Sequence, residues 1–97
     1  MLKYITEFIG TFVFLNIILN ATGKKTSLGK LAPMAIGIGL TASIFLGAPI
    51  SGAHFNPAVT TMMYFRNEIG MNDTVYYIMS QIAGGLAASH FYNLAIV

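Results

Sequence analysis

An apolar run of nine residues, Pro57 to Phe65, stands between Asn56 on one side and Arg66, Asn67 and Glu68 on the other. A helix of that length rises only about 14 Å at ~1.5 Å per residue. Hydrocarbon about 30 Å thick takes about 20 helical residues to cross. Three other apolar stretches, residues 4–21, 31–50 and 74–97, do approach that length. The spacing therefore predicts an all-α membrane protein. Three transmembrane helices would be joined by one re-entrant loop and half-helix (residues 51–67), all in a single domain, residues 1–97.

Composition supports lipid as the solvent. The chain is 56% hydrophobic and 8% charged, whereas a soluble domain carries about 25% charge and a small one cannot hide so much apolar surface. Cysteine is absent, which removes disulfides and thiolate metal sites. The net charge of +2 comes from scattered Lys and Arg, with no basic stripe suited to nucleic acid. No nucleophile–base pair or phosphate-binding glycine loop is visible, so no enzyme, metal or other cofactor is expected. Near the N-terminus, Glu7 interrupts the apolar stretch and the run continues to Ala21. That pattern suits a retained span better than a cleaved leader.

The start of the short run has its own chemistry. Asn is a strong helix N-cap, because its side-chain oxygen accepts from a free amide of the first turn. Pro is favoured at the first helical position. Asn56-Pro57-Ala58 thus reads as a helix start deep in the membrane. Irregular backbone before it (Ser51-Gly52-Ala53-His54-Phe55) is tolerated at that depth only inside protein or along a wet cavity. Its carbonyls would then line a path. The positive end of the half-helix would face the midplane, repelling cations while its donors orient a neutral solute.

The ten residues Ser51-Gly52-Ala53-His54-Phe55-Asn56-Pro57-Ala58-Val59-Thr60 resemble the first re-entrant loop of the aquaporin and aquaglyceroporin (major intrinsic protein) family. Glu7-Phe8-Ile9-Gly10-Thr11-Phe12 resembles that family's first helix, and Gln81-Ile82-Ala83-Gly84-Gly85-Leu86-Ala87-Ala88 its third. The resemblance covers only the first of two inverted repeats. It implies that Asn56 donates to water or a polyol hydroxyl within the Asn56-Pro57-Ala58 cap. Gly52, Ala53 and His54 would offer backbone carbonyls. Glu7 would brace the loop, with Gln81 as a buried polar partner, and Ile36 would occupy the second-helix position of the selectivity filter. The second Asn-Pro-Ala and its filter arginine are absent, so one copy supplies one wall of a pore. The function implied is a channel component for passive transport of water or small neutral solutes such as glycerol, working only as an assembly. That assembly would be a homo-oligomer or a pair with a second half-channel chain, multi-pass in the cell membrane. A non-conducting fragment or a modulator bound to a full-length channel is the alternative.

Several residues carry narrower expectations. Gly37, Gly39 and Gly47 suit close helix approach in a bilayer. Tyr76, Tyr77, Phe91 and Tyr92 read as interfacial aromatics. His54 is expected to pack in the loop, His90 near an interface, and the six Met residues to fill space. Lys3, Arg66 and the terminal amine balance Lys24, Lys25 and Lys30 across the membrane, so the positive-inside bias is near zero. Two oppositely inserted copies would bring two Asn56 residues together.

Overall fold

The computed structural model describes residues 1–96, and among them every regular element is helical. Helix α1 is Leu2–Thr22, a 3₁₀ turn covers Gly29–Leu31, and α2 is Ala32–Ser51. Helix α3 is Pro57–Phe65 and α4 is Met71–Ala95. Val97, which ends the third long run in the sequence reading, lies outside the described residues. Helix α1 is central: it packs against α2 on one side and α4 on the other, while α3 packs against α4 alone among the helices. α1 and α4 run parallel. Lys3 Nζ meets Asp73 Oδ2 at 2.6 Å near their first turns, and Thr26, just beyond α1, meets the Tyr92 hydroxyl at 3.0 Å near the end of α4. The longest dimension is 41 Å, close to the ~40–45 Å of a bilayer with its headgroups.

Burial is inverted relative to a water-soluble domain. The largest fully buried side chains are Gln81, Glu7 and Thr60, while Phe45 is 80% exposed, Leu46 73% and Leu86 69%. Polar groups inside and large apolar groups outside is the arrangement that hydrocarbon solvent favours. Two segments, Leu2–Thr22 and Gly29–Ser51, are long and apolar enough to cross a membrane. Helix α4 is longer, at 25 residues, but Asn72, Asp73, Gln81, His90 and Asn93 dilute its apolarity.

Two boundaries move from their sequence-based places for local reasons. Helix α4 begins at Met71, three residues before the apolar stretch 74–97. Gly70 is its N-cap, Asp73 lies in its first turn, where an acid complements the positive helix end, and Thr74 Oγ1 donates to the Gly70 carbonyl. Helix α2 runs one residue further than expected and ends at Gly52, whose φ of 87° is left-handed and whose N–H bonds the Ala48 carbonyl. Glycine reaches that conformation without steric cost.

Packing of α4 uses a stripe at three- and four-residue spacing: Thr74, Tyr77, Gln81, Gly84, Ala88 and Tyr92. These positions share one helix face. Gly84 is the closest backbone approach, since a Cβ there would lie 2.6 Å from the Phe8 carbonyl oxygen and 3.2 Å from the Phe12 nitrogen. Expectations for α2 change accordingly. A Cβ on Gly37 would meet nothing within 4 Å, one on Gly39 would meet the Ile17 side chain, and one on Gly47 would meet the Phe55 ring. The backbone-to-backbone contact therefore belongs to α4. The aromatic belt is also half of what was expected. Tyr76 and Phe91 are exposed, but Tyr77 and Tyr92 are buried, because their hydroxyls find polar partners inside the bundle.

Candidate pore-lining site

The chain leaves α2 at Ser51 and enters α3 at Pro57 through residues 52–56. Within that span Gly52, Ala53 and Phe55 all have positive φ, at 87°, 53° and 52°. Non-glycine residues rarely adopt this region, and clusters of them persist only where the surroundings enforce them. Here the enforcement comes from one carboxylate.

Glu7 is 0% exposed, and four donors converge on it. Its Oε2 accepts from Ser51 Oγ at 2.7 Å and from the His54 N–H at 3.1 Å. Its Oε1 accepts from the Phe55 N–H and from Gln81 Nε2, each at 2.8 Å. A buried carboxylate is tolerable only when hydrogen-bonded in this way. The result ties α1, the end of α2, the loop and α4 to a single group. Ser51 Oγ also accepts from the Ala53 N–H at 3.1 Å, and the Tyr77 hydroxyl donates to the Ser51 carbonyl at 2.6 Å.

Gln81 Nε2 donates a second time, to Thr60 Oγ1 at 2.8 Å. This fixes the amide's orientation, because the flipped form would set its oxygen against the Glu7 carboxylate. Gln81 Oε1 is left buried without a partner, as is Thr11 Oγ1. Thr60, 0% exposed, also sits 2.8 Å from His54 Nδ1, and the His54 ring packs on Tyr77 with centroids 5.1 Å apart. Thr60 thereby anchors α3 to both α4 and the loop. Thr60→Val keeps the shape but removes a group that joins two others. We expect a loss of about 1–2 kcal/mol, read as a lower midpoint in detergent-induced unfolding followed by circular dichroism.

Asn56 begins α3. Its backbone is extended, at φ −162° and ψ 124°, and its Oδ1 accepts from the Ala58 N–H at 2.8 Å. Pro57 takes the first helical position. The Asn56 side chain is exposed. With its oxygen used for the cap, its Nδ2 hydrogens remain available to an outside acceptor. Gly52 and Ala58 are also exposed, His54 and Pro57 are half-buried, and Ala53 is buried. Among the described residues, no backbone amide donates to the carbonyls of Gly52, Ala53 or His54. Ile36 is half-buried on α2, about 22 Å along the helix axis from Ser51 at ~1.5 Å per residue. The structure does not bring it against the loop.

Sequence reasoning left the side chains of Ser51, Thr60 and Phe55 without roles and read Tyr77 as an interfacial aromatic. Two of them carried a signal. Thr60 is a polar residue inside an apolar half-helix, and Tyr77 lies one turn before Gln81 on the same face. Phe55 carried none, because Gly10, which its ring meets, stands far away in sequence on α1.

The family model described as "Major intrinsic protein" matches residues 1–97. Glycerol uptake facilitator protein-like 6 of Lactiplantibacillus plantarum is 42% identical over 93 residues, covering 92% of this chain and 41% of that protein. Aquaporin PIP1-1 of Arabidopsis thaliana is 36% identical, covering 88% of this chain and 32% of that protein. Aquaporin-5 of Sus scrofa is 32% identical, covering 92% and 35%. The chain thus spans well under half the length of these relatives. No solved structure matches. A match over the whole chain, with these relatives all above 30% identity, means that the chain belongs to the major intrinsic protein family of integral membrane channels.

Proposed function

We propose that this chain forms one wall of a membrane channel for water or small neutral solutes such as glycerol, and that it conducts only in an assembly. Helices α1, α2 and α4 cross the cell membrane, and residues 52–56 with α3 enter it halfway. The observation that carries this reading is the free hydrogen-bonding capacity gathered at one place. The carbonyls of Gly52, Ala53 and His54 accept no backbone hydrogen bond, and they lead to the exposed amide of Asn56. A permeant hydroxyl would donate to those carbonyls and accept from Asn56 Nδ2. The positive end of α3 would disfavour a cation at the same point.

The need for an assembly follows from solvation. An unpaired backbone carbonyl facing hydrocarbon costs several kcal/mol, and α3 is covered only by α4 among the helices. A second copy, or a separate chain carrying the complementary half, would close the wet side. The test is stopped-flow shrinkage of proteoliposomes holding this chain, alone and with a complementary half-channel chain, each with and without Asn56→Asp. Aspartate preserves the helix cap but removes the donor and adds a negative charge. We expect fast water or glycerol flux in one of the two assemblies and its loss in the variant. Flux at the level of empty liposomes in both, from protein that is inserted and helical, would overturn the channel reading and favour a non-conducting partner of a full-length channel.

A further inference from the structure

We propose that Phe55 is the positioning residue of the carbonyl row, held as a wedge in a slot made by two glycines on different helices. This rests on the channel reading above and names what sets its geometry. The Phe55 ring is 4% exposed, so it lines no path itself. On one side is α1: a Cβ on Gly10 would lie 2.1 Å from ring Cε1 and 2.3 Å from Cζ. At its tip is α2: a Cβ on Gly47 would lie 2.7 Å from Cζ and 3.5 Å from Cε2. Real Cβ atoms do not come so close, so only glycine fits at either wall. One glycine bounds the ring along Cδ1, Cε1 and Cζ, and the other bounds its Cζ tip.

The wedge matters because of the backbone it terminates. Phe55 has a φ of 52°, a conformation that a bulky side chain avoids unless held. Its N–H is one of the donors to Glu7, and the next residue is the cap Asn56. With the ring seated, residues 53–55 have their amides and the Phe55 side chain fixed on the protein side, which turns the carbonyls of Gly52, Ala53 and His54 away from it. Glu7 holds the His54 and Phe55 amides, Ser51 Oγ holds that of Ala53, and the slot holds the ring. A lone carboxylate would leave Phe55 free to relax towards a negative φ, carrying the His54 carbonyl and the Asn56 cap with it.

The slot predicts a compensating pair. Gly10→Ala fills one wall. We expect the His54 and Phe55 amides to exchange with solvent about tenfold faster or more, with amides in the middle of α4 unchanged, and flux through the assembled channel to fall. Adding Phe55→Leu, which removes the ring's reach, should bring amide protection and flux back towards wild type. Damage to general helix packing would instead raise exchange in α4 and would not be relieved by shortening residue 55. If Gly10→Ala does not fold, Gly47→Ala, whose contact is looser, takes its place in the same pair. The proposal is overturned by unchanged His54 and Phe55 exchange in a folded glycine variant, or by a double variant no better protected than the single one. Should the wild-type assembly prove non-conducting, the exchange measurement still decides the wedge, so its failure and that of the channel reading remain distinct.

Discussion

Glu7→Gln should loosen the whole loop while leaving the shape of the side chain unchanged. The carboxylate is an acceptor at both oxygens, and each takes two donors: Ser51 Oγ and the His54 N–H on one, the Phe55 N–H and Gln81 Nε2 on the other. A glutamine has one acceptor oxygen, and its amide hydrogens must face two of those donors. Either pair chosen leaves two buried donors opposite another donor. Unsatisfied buried groups cost about 1–3 kcal/mol each, partly relieved by rotation of Ser51 or Gln81. We therefore expect a net loss of about 2–4 kcal/mol, measured as the midpoint shift in detergent-induced unfolding, and loss of flux in the proteoliposome assay. Glu7→Asp should fall between the two, since it keeps the charge but shortens the reach. Unchanged stability in Glu7→Gln would mean that the carboxylate does not hold the loop.

The second large effect is expected at Gly84. A β-carbon there would meet the Phe8 carbonyl oxygen at 2.6 Å and the Phe12 nitrogen at 3.2 Å. Both are backbone atoms of α1, which cannot swing aside as a side chain can. Gly84→Val must therefore separate α1 from α4, and Gln81, one turn away, would be drawn from Glu7. Overpacking of this kind costs about 3 kcal/mol or more. The neighbouring glycine supplies the control. A Cβ on Gly85 would meet only Leu15 Cδ1, at 3.1 Å, the tip of a flexible side chain. Gly85→Ala should unfold within about 0.5 kcal/mol of wild type. Equal destabilisation by the two substitutions would show that close approach at Gly84 is not what joins these helices.

Apolar length and local capping chemistry were legible in the residues themselves. Asn56 followed by Pro57 encodes a helix start regardless of context, and Arg66 to Glu68 an end, so α3 appears over the run set apart by composition alone. Glu7 and Gln81 stand out because a polar group in an apolar run is costly in lipid and needs a partner; the structure places them 2.8 Å apart. The identity of that partner was less legible. Glu7 and Gln81 are joined across 74 positions, and the loop amides they help to hold carry no side-chain signal.

Tertiary structure alone decided which face of each helix turns inward. In water, a hydrophobic stripe marks the buried side. In hydrocarbon, apolar residues suit either side, and small or polar residues mark the contact instead. Hence Tyr77 and Tyr92 lie inside although their positions near the helix ends suggest an interface. Gly84 makes the backbone contact, while Gly37, equally small, meets open space. The slot for Phe55 is the clearest case. It exists only once α1 and α2 have brought Gly10 to the body of one ring and Gly47 to its tip, a relation no local pattern contains. The amino-acid sequence by itself determined where helices start, stop and need polar partners, because those are short-range matters of capping and desolvation; close approach was decided by the packed bundle, because it depends on the distance between elements that the chain leaves far apart.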